Sequence, residues 1–282
     1  MGLPTLCAEA SEYVGEPIAG TAAFATTWIF VEEAGPWAVK PIESIGIAQD
    51  RELLGTWLST LPNARLQLIR RPGEARSTRR VFIAEPAQRR IRRFDVAQLS
   101  DVDLFGGSDF DETFYAVCTH GKRDRCCALR GVKLFGALHQ ATRNVWQTSH
   151  LGGHRFAATM IVLPHGYCYG RLEPDEAASL AAATEDGVLH DLPKLRGRTS
   201  YRGPVQAGEI ALRQSLQLTG LDDLVVLRIQ HDPSEWRIRF RAHERTWLVT
   251  VRPEITGTLR PKSCGADVQA VEVYPCAIKD IT

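Results

Sequence analysis

One stretch constrains the fold of this chain more than any other. TFYAVCT (113–119) alternates as a buried strand and carries Cys118 at its end. A helical stretch follows, RDRCCALRGVKLFGALHQATR (123–143), and then a second strand, NVWQTSH (144–150), which ends on His150. In a strand–helix–strand unit with parallel strands, the C-terminal ends of both strands share one edge. The unit therefore delivers the Cys118 thiol and the His150 imidazole to the same place.

The chain after this unit narrows the topology. FAATMIVLP (156–164) and GYCYGRL (166–172) read as two more strands joined across a tight Pro-His-Gly connection. PDEAASLAAATEDG (174–187) reads as a helix with Pro174 near its first turn. Strand, helix, strand, hairpin and helix make the thioredoxin-type arrangement. Upstream, WIFVEE, a helix over 50–61 with Asp50 as N-cap, and strands at 64–71, 79–86 and 89–96 predict a small α/β unit. This unit resembles the central one weakly, which leaves a second thioredoxin-like unit open. SDVDLFGGSDFDE (100–112) reads as a linker or turn. A helix at 205–219 and an antiparallel meander over 224–253 are expected beyond it. The expected class is thus α/β in three parts: an Arg-rich α/β unit over 1–105, a thioredoxin-like domain carrying the site over 106–195, and a C-terminal helix and β-meander over 196–282. Packing of the last part onto the first is one option.

Charge and cysteine usage bound the partners. With 34 basic and 33 acidic residues the net charge is +1, so no global field points to nucleic acid or a membrane. The N-terminus lacks a basic start followed by an apolar run, and Leu6 stands where a myristoylation pattern needs Ser or Thr. No stretch approaches the roughly 18 apolar residues of a spanning helix. The expectation is a cytoplasmic protein with neither a nucleic-acid nor a membrane partner. Local charge is uneven: Arg65 to Arg93 holds ten Arg against Glu74 and Glu85, and Phe94 to Gly121 holds six acids and no Lys or Arg. The plain reading is a solvated polar sheet edge beside an acidic linker; the sharper one is a docking face for a negatively charged redox partner. Seven cysteines, odd in number and unevenly spread, do not suit a disulfide framework and point to metal or redox chemistry.

Cysteine and histidine then cluster in CTHGKRDRCC (118–127) and SHLGGH (149–154). Gly152 and Gly153 each disfavour helix by about 1 kcal/mol and instead let the loop curl, so that His150 and His154 face one centre. Two thiolates and two imidazoles fit tetrahedral zinc, and they equally fit a [2Fe–2S] cluster with two Cys on one iron and two His on the other. Cys126 and Cys127 point in different directions, so one is expected to be a ligand and the other to pack beside the site. A thiol oxidoreductase using Cys126 and Cys127 is a third option. Lys122, Arg123, Arg125 and Arg155 place positive charge nearby, which would raise the potential of a cluster. His120, His165, Cys168, Cys264, Cys276, Tyr167 and Tyr169 read as loop, turn or packing residues.

CTHGKRDRCCALRG followed by SHLGGHRFAATMIVLPHGYCYGRL resembles the sucrase/ferredoxin-like family, most strongly over 113–172 and more weakly in TTWIFVEEAGPW and RPKSCGA. The resemblance implies a thioredoxin-like ferredoxin core and a bis-histidinyl, non-Rieske [2Fe–2S] cluster. Carried over by position, its ligands are Cys118, Cys127, His150 and His154; Cys127 is taken because the family pattern sets its second cysteine nine residues after the first. The implied role is an electron carrier or redox sensor working with an unidentified redox partner protein, rather than an enzyme in its own right. Neutral imidazoles in place of thiolates raise the potential of Rieske centres from about −400 mV to roughly −150 to +300 mV. The same direction, with a pH dependence from proton-coupled transfer, is expected here. No acid and nucleophile carboxylate pair suggests a glycosidase.

Overall fold

Two α/β units share one sheet in this protein, whose computed structural model describes residues 3–73 and 77–282. Helix α1 (Cys7–Tyr13) comes first, followed by an extended segment and strand β1 (Thr27–Glu32). Helix α2 (Ala48–Thr60) carries the chain to β2 (Ala64–Arg70), after which come β3 (Arg79–Glu85), β4 (Arg90–Val96) and the short β5 (Ser108–Asp109). The central unit comprises β6 (Phe114–Cys118), α3 (Arg125–Ala141), β7 (Val145–Thr148), β8 (Met160–Leu163), β9 (Tyr167–Tyr169), α4 (Ala177–Glu185) and β10 (Leu195–Arg198). Helix α5 (Gly203–Leu216) precedes β11 (Leu224–His231), β12 (Trp236–Ala242), β13 (Arg245–Val251), β14 (Glu254–Pro261), β15 (Val268–Val273) and β16 (Cys276–Asp280).

The ten-stranded sheet runs β10-β9-β8-β6-β7-β2-β1-β3-β4-β5. Its central part has the expected thioredoxin-type order: β6 and β7 are parallel, with Cys118 opposite Thr148, and β8 and β9 continue outward from β6 as an antiparallel hairpin. The N-terminal unit repeats this order as β2-β1-β3-β4, with β1 and β2 parallel. The equivalent strands β2 and β7 pair antiparallel, Ile69 opposite Thr148, and join the units edge to edge.

Aromatic packing bends this sheet over itself. Phe30 on β1 and Phe114 on β6 stand three strand steps apart, about 14 Å on a flat sheet, yet their rings are 5.0 Å apart. Phe82 on β3 also reaches Phe114 and Trp146, at 4.9 and 5.6 Å. The inner layer, with Trp28 and Ile161, extends to Cys118 and Cys127. Strand alternation sends Tyr115 and Val117 to the opposite face, where they pack with Leu134 and Leu138 of α3. The site thus sits at the end of a layer that excludes water.

Helix α5 packs against β10 and against the four-stranded sheet β11-β12-β13-β16, while the β14–β15 hairpin lies against α1. Three expectations need correcting. Helix α2 starts earlier than the apolar spacing suggested, so Ile47 is its N-cap and Asp50 falls in its first turn, where it accepts from Arg79 at 3.0 Å. Residues 100–112 are more than a linker, since Ser108 and Asp109 pair with β4. The arginine stretch is solvated only in part: Arg80 and Arg92 are buried against Glu32 and Glu85, Arg79 meets Asp50, and the more exposed Arg89, Arg90 and Arg93 meet Asp222, Asp109 and Asp95. Glu74 lies outside the described residues.

Candidate metal centre

Four chain segments converge where β6 and β7 end. Cys118, fully buried, closes β6. Asp124 then caps α3, its Oδ1 accepting from the Cys126 amide at 2.9 Å, and so sets the direction in which the helix leaves the strand. Gly131 lets α3 approach closely, because a Cβ there would collide with the Cys118 carbonyl oxygen. This contact brings Cys127 onto Cys118. Neighbours on a helix point about 100° apart, so Cys126 faces elsewhere.

The loop after β7 supplies the imidazoles. Gly152 and Gly153 have φ of 96° and 74°, the left-handed region open to glycine, and the turn leaves the His150 and His154 rings 4.8 Å apart. Buried Arg196 supports the turn, donating to the Gly152 carbonyl at 2.9 Å and to Thr21 Oγ1 at 3.1 Å.

Cys118 Sγ and Cys127 Sγ each lie 3.8 Å from His150 Nδ1, and all three donor atoms fall within 4.8 Å of one another. His154 stands beside this group: its Nδ1 is 3.2 Å from His150 Nε2, and its Nε2 is 2.7 Å from the Lys262 carbonyl oxygen. A carbonyl only accepts, so His154 carries its proton on Nε2 and keeps a lone pair on Nδ1. Burial, with His150 nearby, lowers the His154 pKa and favours this neutral form.

The two thiols share their burden unequally. A hydrogen bond from Cys127, helped by His150, holds the Cys118 thiol well below its ordinary pKa despite complete burial. The same bond, together with burial, pushes Cys127 upward. Of the pair, Cys118 is thus the more acidic thiol, and both sulfurs are soft donors.

A second group lies on the other side of Asp124. Cys7, Asp124, Cys126 and Cys264 bring one donor atom each within 4.8 Å of one another. Hydrogen bonding from Cys7 lowers the Cys126 pKa to about 7, and Cys7 itself is raised by the same bond and by burial. Burial opposes ionisation of Asp124, but the amides of Cys264 and Cys126 outweigh it and hold its carboxyl below the usual range. Asp124 Oδ2 is 3.8 Å from His154 Nε2 and so links the two groups.

Of the four residues singled out as ligands, Cys118, Cys127 and His150 come together directly and His154 adjoins through His150. Cys126 and Cys264, read as packing, instead meet Cys7, which the sequence reading did not single out. The adjacent thiols Cys126 and Cys127 belong to different groups and do not face one another. Arg155 is ion-paired with buried Glu16 at 2.8 Å and adds no open charge to the site. Lys122, Arg123 and Arg125 are exposed. His120 is buried edge-on to Trp37, with ring centroids 5.9 Å apart. Cys168 lies against Arg196 at 3.5 Å, below the histidine loop.

Comparison with known proteins gives two matches and one blank. A family model described as sucrase/ferredoxin-like matches residues 18–197, a span that holds Cys118, Cys127, His150 and His154 but neither Cys7 nor Cys264. "Altered inheritance of mitochondria protein 32" of Meyerozyma guilliermondii is 24% identical over 135 residues, which are 44% of this chain and 45% of that protein. The chain therefore spans less than half the length of that relative. No solved structure matches.

Proposed function

The chain belongs to the sucrase/ferredoxin-like family, and from that premise we propose that Cys118, Cys127, His150 and His154 hold a [2Fe–2S] cluster in an electron carrier or redox sensor. One observation carries the reading: two buried thiols and the His150 Nδ1 lie within 4.8 Å of one another, with a second imidazole adjoining. Two thiolates and two imidazoles suit the chemistry of a cluster with Cys on one iron and His on the other.

When bound, such a cluster supplies one-electron transfer, at a potential raised by its neutral imidazole ligands. The chain's own residues do the rest. Cys118 would supply the more acidic thiol, with the aromatic layer of Phe114 and Trp146 packed behind it. Lys262 holds the His154 proton on Nε2, so that His154 would offer Nδ1 to such a cluster. The reading calls for a redox partner protein. Exposed Lys122, Arg123 and Arg125 beside the site give it a positive rim suited to an acidic one. Among the described residues no helix is long and apolar enough to cross a membrane, and we place the protein in the cytoplasm as part of this proposal.

Compactness of the three-donor group favours a second reading, a single zinc ion held there. The two separate on purification. A red-brown chain with iron and acid-labile sulfide in equal amounts, bleached by dithionite, is expected; a colourless chain without iron, even after anaerobic reconstitution, sinks the cluster.

A further inference from the structure

Three thiols from remote parts of the chain meet at the second group. Cys7 lies in the first turn of α1, Cys126 in the first turn of α3, and Cys264 in the turn that follows β14. Their Sγ atoms form a nearly equilateral triangle: Cys7–Cys126 3.6 Å, Cys126–Cys264 3.5 Å and Cys264–Cys7 3.6 Å. Asp124 Oδ1 completes the figure, 3.5 Å from Cys7 Sγ and 3.3 Å from Cys264 Sγ. No pair is disulfide-bonded, since all seven cysteines are free.

We propose that Cys7, Cys126, Cys264 and Asp124 form a structural zinc site, distinct from the Cys118–Cys127–His150 group. Size makes the case. A tetrahedral ion with Zn–S near 2.3 Å and Zn–O near 2.0 Å has S···S edges of about 3.8 Å and S···O edges of about 3.5 Å. The observed edges, 3.5–3.6 Å and 3.3–3.5 Å, close around such an ion with only small outward shifts. Soft thiolates select zinc over calcium or magnesium. Four protein ligands leave no place for water, which marks a structural rather than a catalytic ion. The carboxylate is also already oriented, because the Cys126 amide donates to its Oδ1 and the Cys264 amide to its Oδ2, both at 2.9 Å.

The ion would clip α1 and the β14–β15 hairpin onto the start of α3. Lys262, two residues before Cys264, has the carbonyl that holds the His154 proton, so the clip also seats that carbonyl. This second site rests on residues the cluster does not use.

The test measures zinc, iron and sulfide together on the full chain. One zinc per chain is expected to survive dialysis, with X-ray absorption reporting three sulfur and one oxygen neighbour. Cys7→Ser and Cys264→Ser should lose the zinc and keep the iron, whereas Cys118→Ser should lose the iron and keep the zinc. Absence of zinc from the wild-type chain, zinc indifferent to Cys7→Ser and Cys264→Ser, or zinc lost from Cys118→Ser would overturn the site. Should the serine variants fail to fold, X-ray absorption on the zinc of the wild-type chain decides. Three sulfur and one oxygen neighbour support the site; a zinc with two sulfur neighbours and nitrogen, as Cys118, Cys127 and His150 would supply, overturns it. A colourless chain whose zinc depends on Cys264 sinks the cluster alone, and a red-brown chain without zinc sinks the zinc site alone.

Discussion

Cys126 and Cys127 are adjacent in the chain but ligate, on our reading, different centres: Cys127 Sγ is 3.8 Å from His150 Nδ1, and Cys126 Sγ is 3.5 Å from Cys264 Sγ. The helical rotation of about 100° between neighbours, anchored by the Asp124 cap, divides them. A residue pair that reads as a dithiol is therefore a branching point between two groups joined through Asp124 and His154.

Serine substitutions should expose this division. Cys127→Ser is expected to abolish visible absorption and iron binding, and Cys126→Ser to leave both within about two-fold of wild type. Loss of colour and iron in Cys126→Ser, with both retained in Cys127→Ser, would mean that Cys126, not Cys127, is the cluster ligand; a loss of about 10–100-fold would mark Cys126 as an outer-shell support instead.

Replacing His150 by cysteine exchanges a neutral donor for a thiolate and adds negative charge to a cluster. His150→Cys should keep the colour and lower the midpoint potential by roughly 100 mV or more, in line with the gap between bis-histidinyl and all-cysteine centres. Protein-film voltammetry on both proteins reads this shift. An unchanged potential would show that His150 is not a ligand.

The strands, helices and the Cys118–His150 convergence were legible because each rests on local pattern. Alternation marked β6, helical spacing marked α3, and parallel strands put both ends at one edge. Gly152 and Gly153 were legible too, since their backbone freedom is intrinsic. Helix α1 and strands β5 and β10 were not read as elements, and what else escaped at the site was tertiary. Cys7 sits in a short helix with no motif, and it meets Cys264 only because α1 and the β14–β15 hairpin pack together 257 residues apart in the chain. Asp124 had a signal, an Asp directly before a helix, but its second amide partner comes from Cys264. The arginines misled for a similar reason, because a charge count does not see that Glu32 and Asp222 stand opposite them.

Two glycines of α3 should respond oppositely to alanine. Gly131 abuts the Cys118 carbonyl, so Gly131→Ala must push the helix outward, at about 1–3 kcal/mol of stability and with weaker metal retention. Gly136 is exposed with nothing within 4 Å of where its Cβ would lie, so Gly136→Ala should stabilise by about 0.5–1 kcal/mol. Urea unfolding measures both. Equal effects of one sign would show that the packing of Gly131 on Cys118 does not govern the helix position.

Glu16 ties together the segments that carry the second group, accepting from Arg260 Nε at 2.9 Å, Arg155 Nε at 2.8 Å and Ser11 Oγ at 2.7 Å. Its burial pushes the pKa up, but the Arg260 hydrogen bond, the Arg155 charge and Ser11 outweigh that and hold it below the ordinary glutamate value. A depressed folded pKa contributes stability that is complete above the unfolded pKa of about 4.3 and is lost as pH falls through the folded value. Glu16→Gln leaves the buried Arg260 and the partly exposed Arg155 guanidinium underpaired and should cost about 3 kcal/mol at pH 7. As pH falls through that depressed folded value the wild-type carboxyl takes up its own proton, so the gap between the two proteins should narrow there. Denaturation curves collected from pH 7 downward follow that gap, and a difference that stays constant into the acid range would mean that Glu16 is not ionised in the native protein.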